Sequence, residues 1–291
     1  MAQQPKLQPR RPQRRMRRFE VVQLWVSRLI IWGILVLTFI PIWSVVTASL
    51  QSGDVFYTSG FFPDPSRFTL DNYRQIFTVT KFPVWVRNTV IVGIATGFLQ
   101  VLITGIAAYT FSRLRFWGRK NGIKILLLLQ MMPNFVSLAA IQFVLFKTNL
   151  ANLVGMTAVF LGASAYNIWL VKGYMDGLPR ELDEAARVDG ATDWQVFARI
   201  ILPLSRPMLA VMFLFQFMTV YSEFTISSAI LRAPNDMMLA QGLRTFILNN
   251  FTTNWGKFSA AVIVASVPLA LIWAFAQKYV ESGLTRGAVK G

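Results

Sequence analysis

The chain has 291 residues, 54% of them hydrophobic and only 14% charged, with no Cys and no His, whereas about a quarter of the residues in an average soluble domain are charged. The missing residue types exclude Ser-His-Asp and Cys-His nucleophilic catalysis, imidazole or thiolate metal sites, disulfides and dithiol redox chemistry, and no G-x-x-x-x-G-K-[ST] stretch supplies a phosphate-cradling loop. The net charge of +16 invites a nucleic-acid reading, but the basic residues flank apolar blocks instead of forming a folded basic face, so no nucleic-acid partner is expected.

Residues Met1–Gln23, rich in Pro, Gln and Arg, read as a basic, disordered cytoplasmic tail near anionic lipid. The first apolar segment, Leu24–Leu50, is too long for the h-region of a signal peptide and reads as a retained helix kinked at Pro41. Five more follow: Val84–Phe111, Ile125–Phe146, Ala151–Val171, Pro207–Leu231 and Phe258–Ala276. Each reaches or approaches the ~20 residues needed to cross a ~30 Å hydrocarbon layer as a helix. Gly93-x3-Gly97 suits close helix packing, and Pro133 and Pro268 suit kinks. The expected fold is an all-α integral membrane protein with six transmembrane helices in a domain spanning 24–276, followed by a tail over 277–291. Twenty Lys and Arg fall in the regions on the side of the termini and seven in the loops on the other. Short cytoplasmic loops are enriched in these residues, which places both termini inside.

The inside loop Lys172–Arg206 is 35 residues long and carries six of the thirteen acidic residues: Asp176, Glu181, Asp183, Glu184, Asp189 and Asp193. Pro179 suits the first turn of a short helix and Gly190 the left-handed residue that ends one. Leu182, Ala185, Ala186 and Val188 fall close to one face of that helix. Thr192 and Gln195 have capping-box spacing for a second helix, whose apolar face would be Trp194, Phe197, Ile200 and Ile201. Helices this short do not stand alone in water, so their apolar faces need a partner or the membrane surface.

Glu184-Ala185-Ala186, Gly190, Ile200 and Leu202-Pro203 spell EAA-x3-G-x9-I-x-L-P. This resembles the cytoplasmic loop of the permease subunits of bacterial ABC importers at every fixed position. The ending Gly283-Leu284-Thr285-Arg286-Gly287-Ala288-Val289-Lys290-Gly291 is similar to the GLT-x-G-x-V-K-G terminus of a carbohydrate-importer subfamily. Within that subfamily the likeness is greatest to the smaller second permease of maltose/maltodextrin transporters, and it covers about Val84 to Gly291.

The resemblance implies a type I ABC importer permease fold in the bacterial cytoplasmic (inner) membrane. It also implies a transport subunit that is not itself an enzyme. Glu184, Ala185, Ala186, Gly190, Ile200, Leu202 and Pro203 would dock into a separate ATPase subunit, so the chain would hold no cofactor and ATP and Mg would be bound by that partner. The other implied partners are a second, homologous permease, the ATPase dimer, an extracytoplasmic sugar-binding protein and membrane lipid. The tail, through Gly283, Lys290 and Gly291, would reach the ATPase interface. The outside loop 232–257, with Asn249, Asn250, Asn254 and Trp255, would contact the binding protein. Amide side chains and an aromatic ring suit a carbohydrate neighbourhood.

Within the fifth apolar segment, Gln216, Thr219 or Val220, and Glu223 share a helical face and are expected to line the pathway, with Glu223 at an outer gate. Helix–helix hydrogen bonding is the competing role for Gln216 and Thr219. The alternatives are a permease for another oligosaccharide or a glycerol-phosphate-type solute, and a non-transporting membrane scaffold. A secondary transporter would need inverted repeats and midplane charges.

Overall fold

The computed structural model describes residues 18–52, 62, 64–131, 134–162, 164–248 and 254–288. Among them no strand forms, only an isolated bridge between Gln51 and Phe68. The helices are α1 (Arg18–Ser49), α2 (Asp71–Thr78), α3 (Phe82–Arg113), α4 (Arg119–Gln130), α5 (Asn134–Lys147), α6 (Leu153–Gly162) and α7 (Ala165–Asp176). They continue with α8 (Glu181–Val188), α9 (Asp193–Val196), α10 (Leu202–Tyr221), α11 (Thr225–Ile230), α12 (Leu239–Arg244) and α13 (Trp255–Ala288).

Four uninterrupted helical runs among the described residues are long and apolar enough to cross a membrane: Phe19–Ser49, Phe82–Arg113, Asp193–Tyr221 and Trp255–Gln277. The pair α6 and α7, bent by 52°, makes a fifth. Among the described residues the spans therefore number four or five, and the expected six are not all seen as unbroken helices. The predicted segment Ile125–Phe146 is divided between α4 and α5, and its expected kink at Pro133 lies outside the described residues. The predicted segment Pro207–Leu231 stops as a helix at Tyr221. Both oxygens of the Glu223 carboxylate there accept from the backbone N–H groups of Ile226 (2.6 Å) and Ser227 (2.9 Å) and start α11. An acceptor that satisfies the first free N–H groups of a new helix outweighs continued propagation of the old one. Pro41 and Pro268 lie inside α1 and α13.

Two helices organise the core. α3 and α10 pack along each other, and both contribute to three buried apolar clusters spaced along the molecule. One cluster, beside α8 and α9, joins Ala108 and Tyr109 to Val171, Met175, Phe197 and Met212. A second contains Val92, Met156 and Val220. The third, at the opposite or far end, contains Phe82, Trp85, Phe217, Tyr221 and Leu239. Gly93 and Gly97 make the α3–α10 contact possible. A Cβ at Gly93 would sit 2.8 Å from the Phe217 ring, and one at Gly97 the same distance from the Phe213 ring. The expected close packing is present, with aromatic rings filling the space the missing side chains leave.

α1 is different in kind. None of its apolar membrane window is buried, and it lies along α13 with its long side chains open. Only its last turn is fixed: Ser49 Oγ lies 2.8 Å from Tyr73 Oη, and Asn72 Nδ2 donates to the carbonyls of Ser49 and Gln51.

Candidate functional site: a docking loop clamped to a membrane helix

α8 starts with Glu181, Asp183 and Glu184 in its first turn, where the partial positive charge of the exposed N–H groups favours acids. Pro179 precedes this helix instead of entering it. The helix ends as the sequence predicts. Gly190 adopts φ +82°, Gly190 N donates to Arg187 O, and Ala191 N donates to Ala186 O at 2.9 Å, the paired bonds of a Schellman cap. No atom lies within 4 Å of where a Cβ at Gly190 would stand, so the requirement there is backbone conformation and not space.

Thr192 and Gln195 form both halves of a capping box. α9 runs through one π turn (Phe197–Ile201) into α10 as a single helical run. The wide turn lies just ahead of Pro203 and Pro207, residues that have no N–H for a preceding carbonyl.

The exposed side of this loop presents Leu182, Glu184, Ala185, Val188 (87% exposed) and Trp194. Ala186, Ile200 and Leu202 are half-buried against the nearby apolar cluster. The sequence placed Phe197 and Ile201 on a face in need of a partner. The structure buries both within the chain's own core, in one cluster with Tyr109, whose ring centroid lies 5.0 Å from that of Phe197.

The inward side of the loop is held by polar groups from the last turns of α3. Arg113 Nε and Asp183 Oδ2 form an ion pair at 2.7 Å, with side chains only 3% and 6% exposed. Arg113 Nη2 also donates to Leu178 O at 3.0 Å. Ser112 Oγ donates to Asp176 Oδ1 at 2.6 Å, and Lys172 pairs with the same carboxylate. Tyr109 Oη donates to Asp193 O at 3.1 Å, while Arg187 Nη2 holds the Asp193 carboxylate at 2.8 Å. Burial holds the Asp183 carboxyl above its ordinary range despite the opposing charges of Arg113, Arg187 and Arg180. A cleft of about 560 Å³ opens beside this clamp, lined by Arg113, Arg115, Arg187, Thr192 and Asp193 among others.

In the sequence Arg113 reads as a topological charge and Asp183 as one acid of the loop, and nothing local marks Tyr109 or Ser112 as their neighbours. The available signal was that Asp183 falls on the side of α8 opposite Ala185.

At the far end, α3 holds a second segment. Trp85 Nε1 donates to Pro234 O (3.1 Å), and Asn88 Nδ2 donates to Asn235 O (2.8 Å) and Met237 O (3.0 Å). Thr89 Oγ1 accepts from Leu239 N (2.7 Å).

The other predicted residues are dispersed. Gln216 is buried, whereas Thr219 is exposed and bonds back to Phe215 O of its own helix. Glu223 lies beyond the end of α10, so the three do not share one helical face. Asn254 caps α13 by accepting from Lys257 N (2.9 Å), and Trp255 opens that helix edge-on to Phe258. Gly283 lies within α13, and Asn249, Asn250, Lys290 and Gly291 lie outside the described residues. Glu223→Ala is expected to lower stability by about 1 kcal/mol, the usual cost of a lost helix cap. The change should appear as a reduced melting temperature in detergent with transport retained, and loss of transport at an unchanged melting temperature would return Glu223 to a gate.

Residues 100–286 match the family described as the binding-protein-dependent transport system inner membrane component. The chain belongs to this family. The matched span of this inner membrane transport component contains the whole docking loop and both partners of the Arg113–Asp183 pair. The chain is 39% identical over 232 residues to the maltodextrin transport system permease protein MdxG of Bacillus subtilis, covering 77% of this chain and 81% of that one. It is 33% identical over 288 residues to the maltose/maltodextrin transport system permease protein MalG of Vibrio vulnificus, covering 92% and 96%. That share exceeds what residues 84–291 alone comprise, so the likeness extends further toward the N-terminus than the motifs indicated. A bacterial ABC transporter involved in the import of the acidic polysaccharide alginate has the same fold, with a TM-score of 0.77, 21% identity, and coverage of 91% of this chain and 98% of that one. The chain is thus an inner membrane component of a binding-protein-dependent transport system.

Proposed function

We propose that the chain imports maltose or maltodextrins as one of two homologous permease subunits, driven by ATP bound with Mg on a separate ATPase dimer. The observation that carries the coupling part of this reading is the two-sided docking loop. One side presents Glu184, Ala185, Leu182, Val188 and Trp194 to the surroundings, and the other is fixed to α3 and runs without a break into α10. Small and apolar side chains set among the exposed acids Glu181, Glu184 and Asp189 suit a protein cleft with basic groups. The uncovered length of α1 suits a second permease or lipid as its neighbour. The docking loop and both termini are assigned to the cytoplasm on the distribution of Lys and Arg.

The names of the 33–39% identical relatives support the sugar, and an extracytoplasmic sugar-binding protein would deliver it to the far end, where α3 holds residues 234–239. The C-terminal tail from Gly283 is assigned to the ATPase interface by its likeness to the subfamily ending.

Affinity purification of the tagged chain should bring down an ATPase and a second permease. In lipid, the ATPase rate should rise on addition of the binding protein with maltose or maltotriose. Stimulation by another solute alone would keep the importer and replace the sugar, and absence of any ATPase would overturn the docking assignment.

A further inference from the structure

The docking loop is joined to the membrane helices twice, by two different means. On its C-terminal side the connection is covalent, because Asp193–Tyr221 is one helical run. On its N-terminal side the connection to α3 is non-covalent and polar. We propose that the buried Arg113–Asp183 pair is a positioning pair that makes the docking loop and α3 move as one body, so that α3 carries loop displacement to residues 234–239 at the far end. This rests on the coupling role proposed above and names the residues that execute it.

Three observations carry it. First, the pair is oriented and not merely sticky. The guanidinium lies against Asp183 as an ion pair and donates to Leu178 O, on either side of the start of α8, while Ser112 and Tyr109 donate to Asp176 Oδ1 and Asp193 O, so the directional bonds are those to Leu178, Asp176 and Asp193. An apolar contact allows sliding, whereas a set of directional bonds to three points on the loop does not. Second, a buried ion pair is a poor way to gain stability, since apolar side chains of similar volume do as well or better. Its presence 3% and 6% exposed, with Arg113 Nε, Arg113 Nη1 and Asp183 Oδ1 lacking hydrogen-bond partners, is better accounted for by position than by energy. Third, α3 is suited to transmit. It is 32 residues long with Pro only at its start, about 48 Å at 1.5 Å per residue. Its first two turns hold the far segment through Trp85, Asn88 and Thr89.

The chain has no Cys, so spin labels can be placed at single positions. Trp117, just beyond α3 and 98% exposed, and Glu181, exposed at the start of α8 and outside the EAA motif, suit Trp117→Cys and Glu181→Cys. In the purified complex in lipid, the distance between the labels is expected to be narrow and identical in the nucleotide-free and ATP-bound states. In Asp183→Asn it should broaden or become nucleotide-dependent, and the ratio of sugar-stimulated to unstimulated ATPase should fall about tenfold, within the usual range of coupling energies. The charge exchange Arg113→Asp with Asp183→Arg should recover much of that ratio, and Asp183→Glu more.

A label distance that changes with nucleotide in the otherwise native chain would overturn the proposal. So would a normal stimulation ratio in Asp183→Asn. Failure of the function itself reads differently: the native chain would then bring down no ATPase, or show no stimulation before any substitution is made.

Discussion

Arg113→Ala is expected to destabilise the protein by about 3–5 kcal/mol, because it leaves the Asp183 carboxylate buried without its counter-charge. Denaturant unfolding of the purified chain in detergent measures this directly. The informative comparison is the double replacement Arg113→Met with Asp183→Leu, which removes both charges and keeps apolar bulk. Its stability should return to the native level or exceed it, since isosteric apolar pairs replace buried ion pairs at little cost. Sugar-stimulated ATPase should remain depressed in the same double variant. Stability and coupling would thus separate in one protein. A double variant that is both stable and fully stimulated would show that packing alone fixes the loop.

Gly242→Ala is the second substitution with a large expected effect. A Cβ there would lie 2.1 Å from Trp85 Cδ2 and 2.3 Å from Cε3, so the indole must move. It can do so only by leaving the Pro234 carbonyl at 3.1 Å and its place in the far-end cluster. Overpacking of this kind costs about 1–3 kcal/mol. The expected result is a lowered melting temperature together with loss of the response to the binding protein, while ATPase still co-purifies. Gly242→Ala combined with Trp85→Phe should regain part of the lost stability, because the smaller ring leaves room. An unchanged melting temperature in Gly242→Ala would mean the ring is free to swing aside.

What could be read from the sequence was local in nature. Gly190 and the Thr192–Gln195 box were legible because each feature is complete within a few residues: a left-handed stop, and two hydrogen bonds across three positions. The break after Tyr221 was hidden for the opposite reason. No Pro or Gly interrupts Pro207–Leu231, and an acid inside an apolar run reads as a membrane charge seeking a partner. Its actual partners are two backbone N–H groups of the next turn, and nothing in hydropathy distinguishes those cases.

The Arg113–Asp183 pair was invisible for a third reason. Its members are far apart in the chain, and each taken alone serves an ordinary purpose: one as a positive-inside charge, the other as an acid at a helix start. Only the packing of α3 against α7 and α10 brings them together. The EAA spacing located the docking surface, but not the side of it that faces inward.

α1 resembles a boom pinned at its heel. Thr47, Ala48 and Ser49 are buried and bonded to Tyr73 and Asn72, while the length before them rests beside α13 with no apolar surface enclosed. Within the chain its direction is set by that last turn and by α13 alone. Whatever surrounds this length in the bilayer, lipid or a neighbouring subunit, supplies the apolar contact that the chain itself does not.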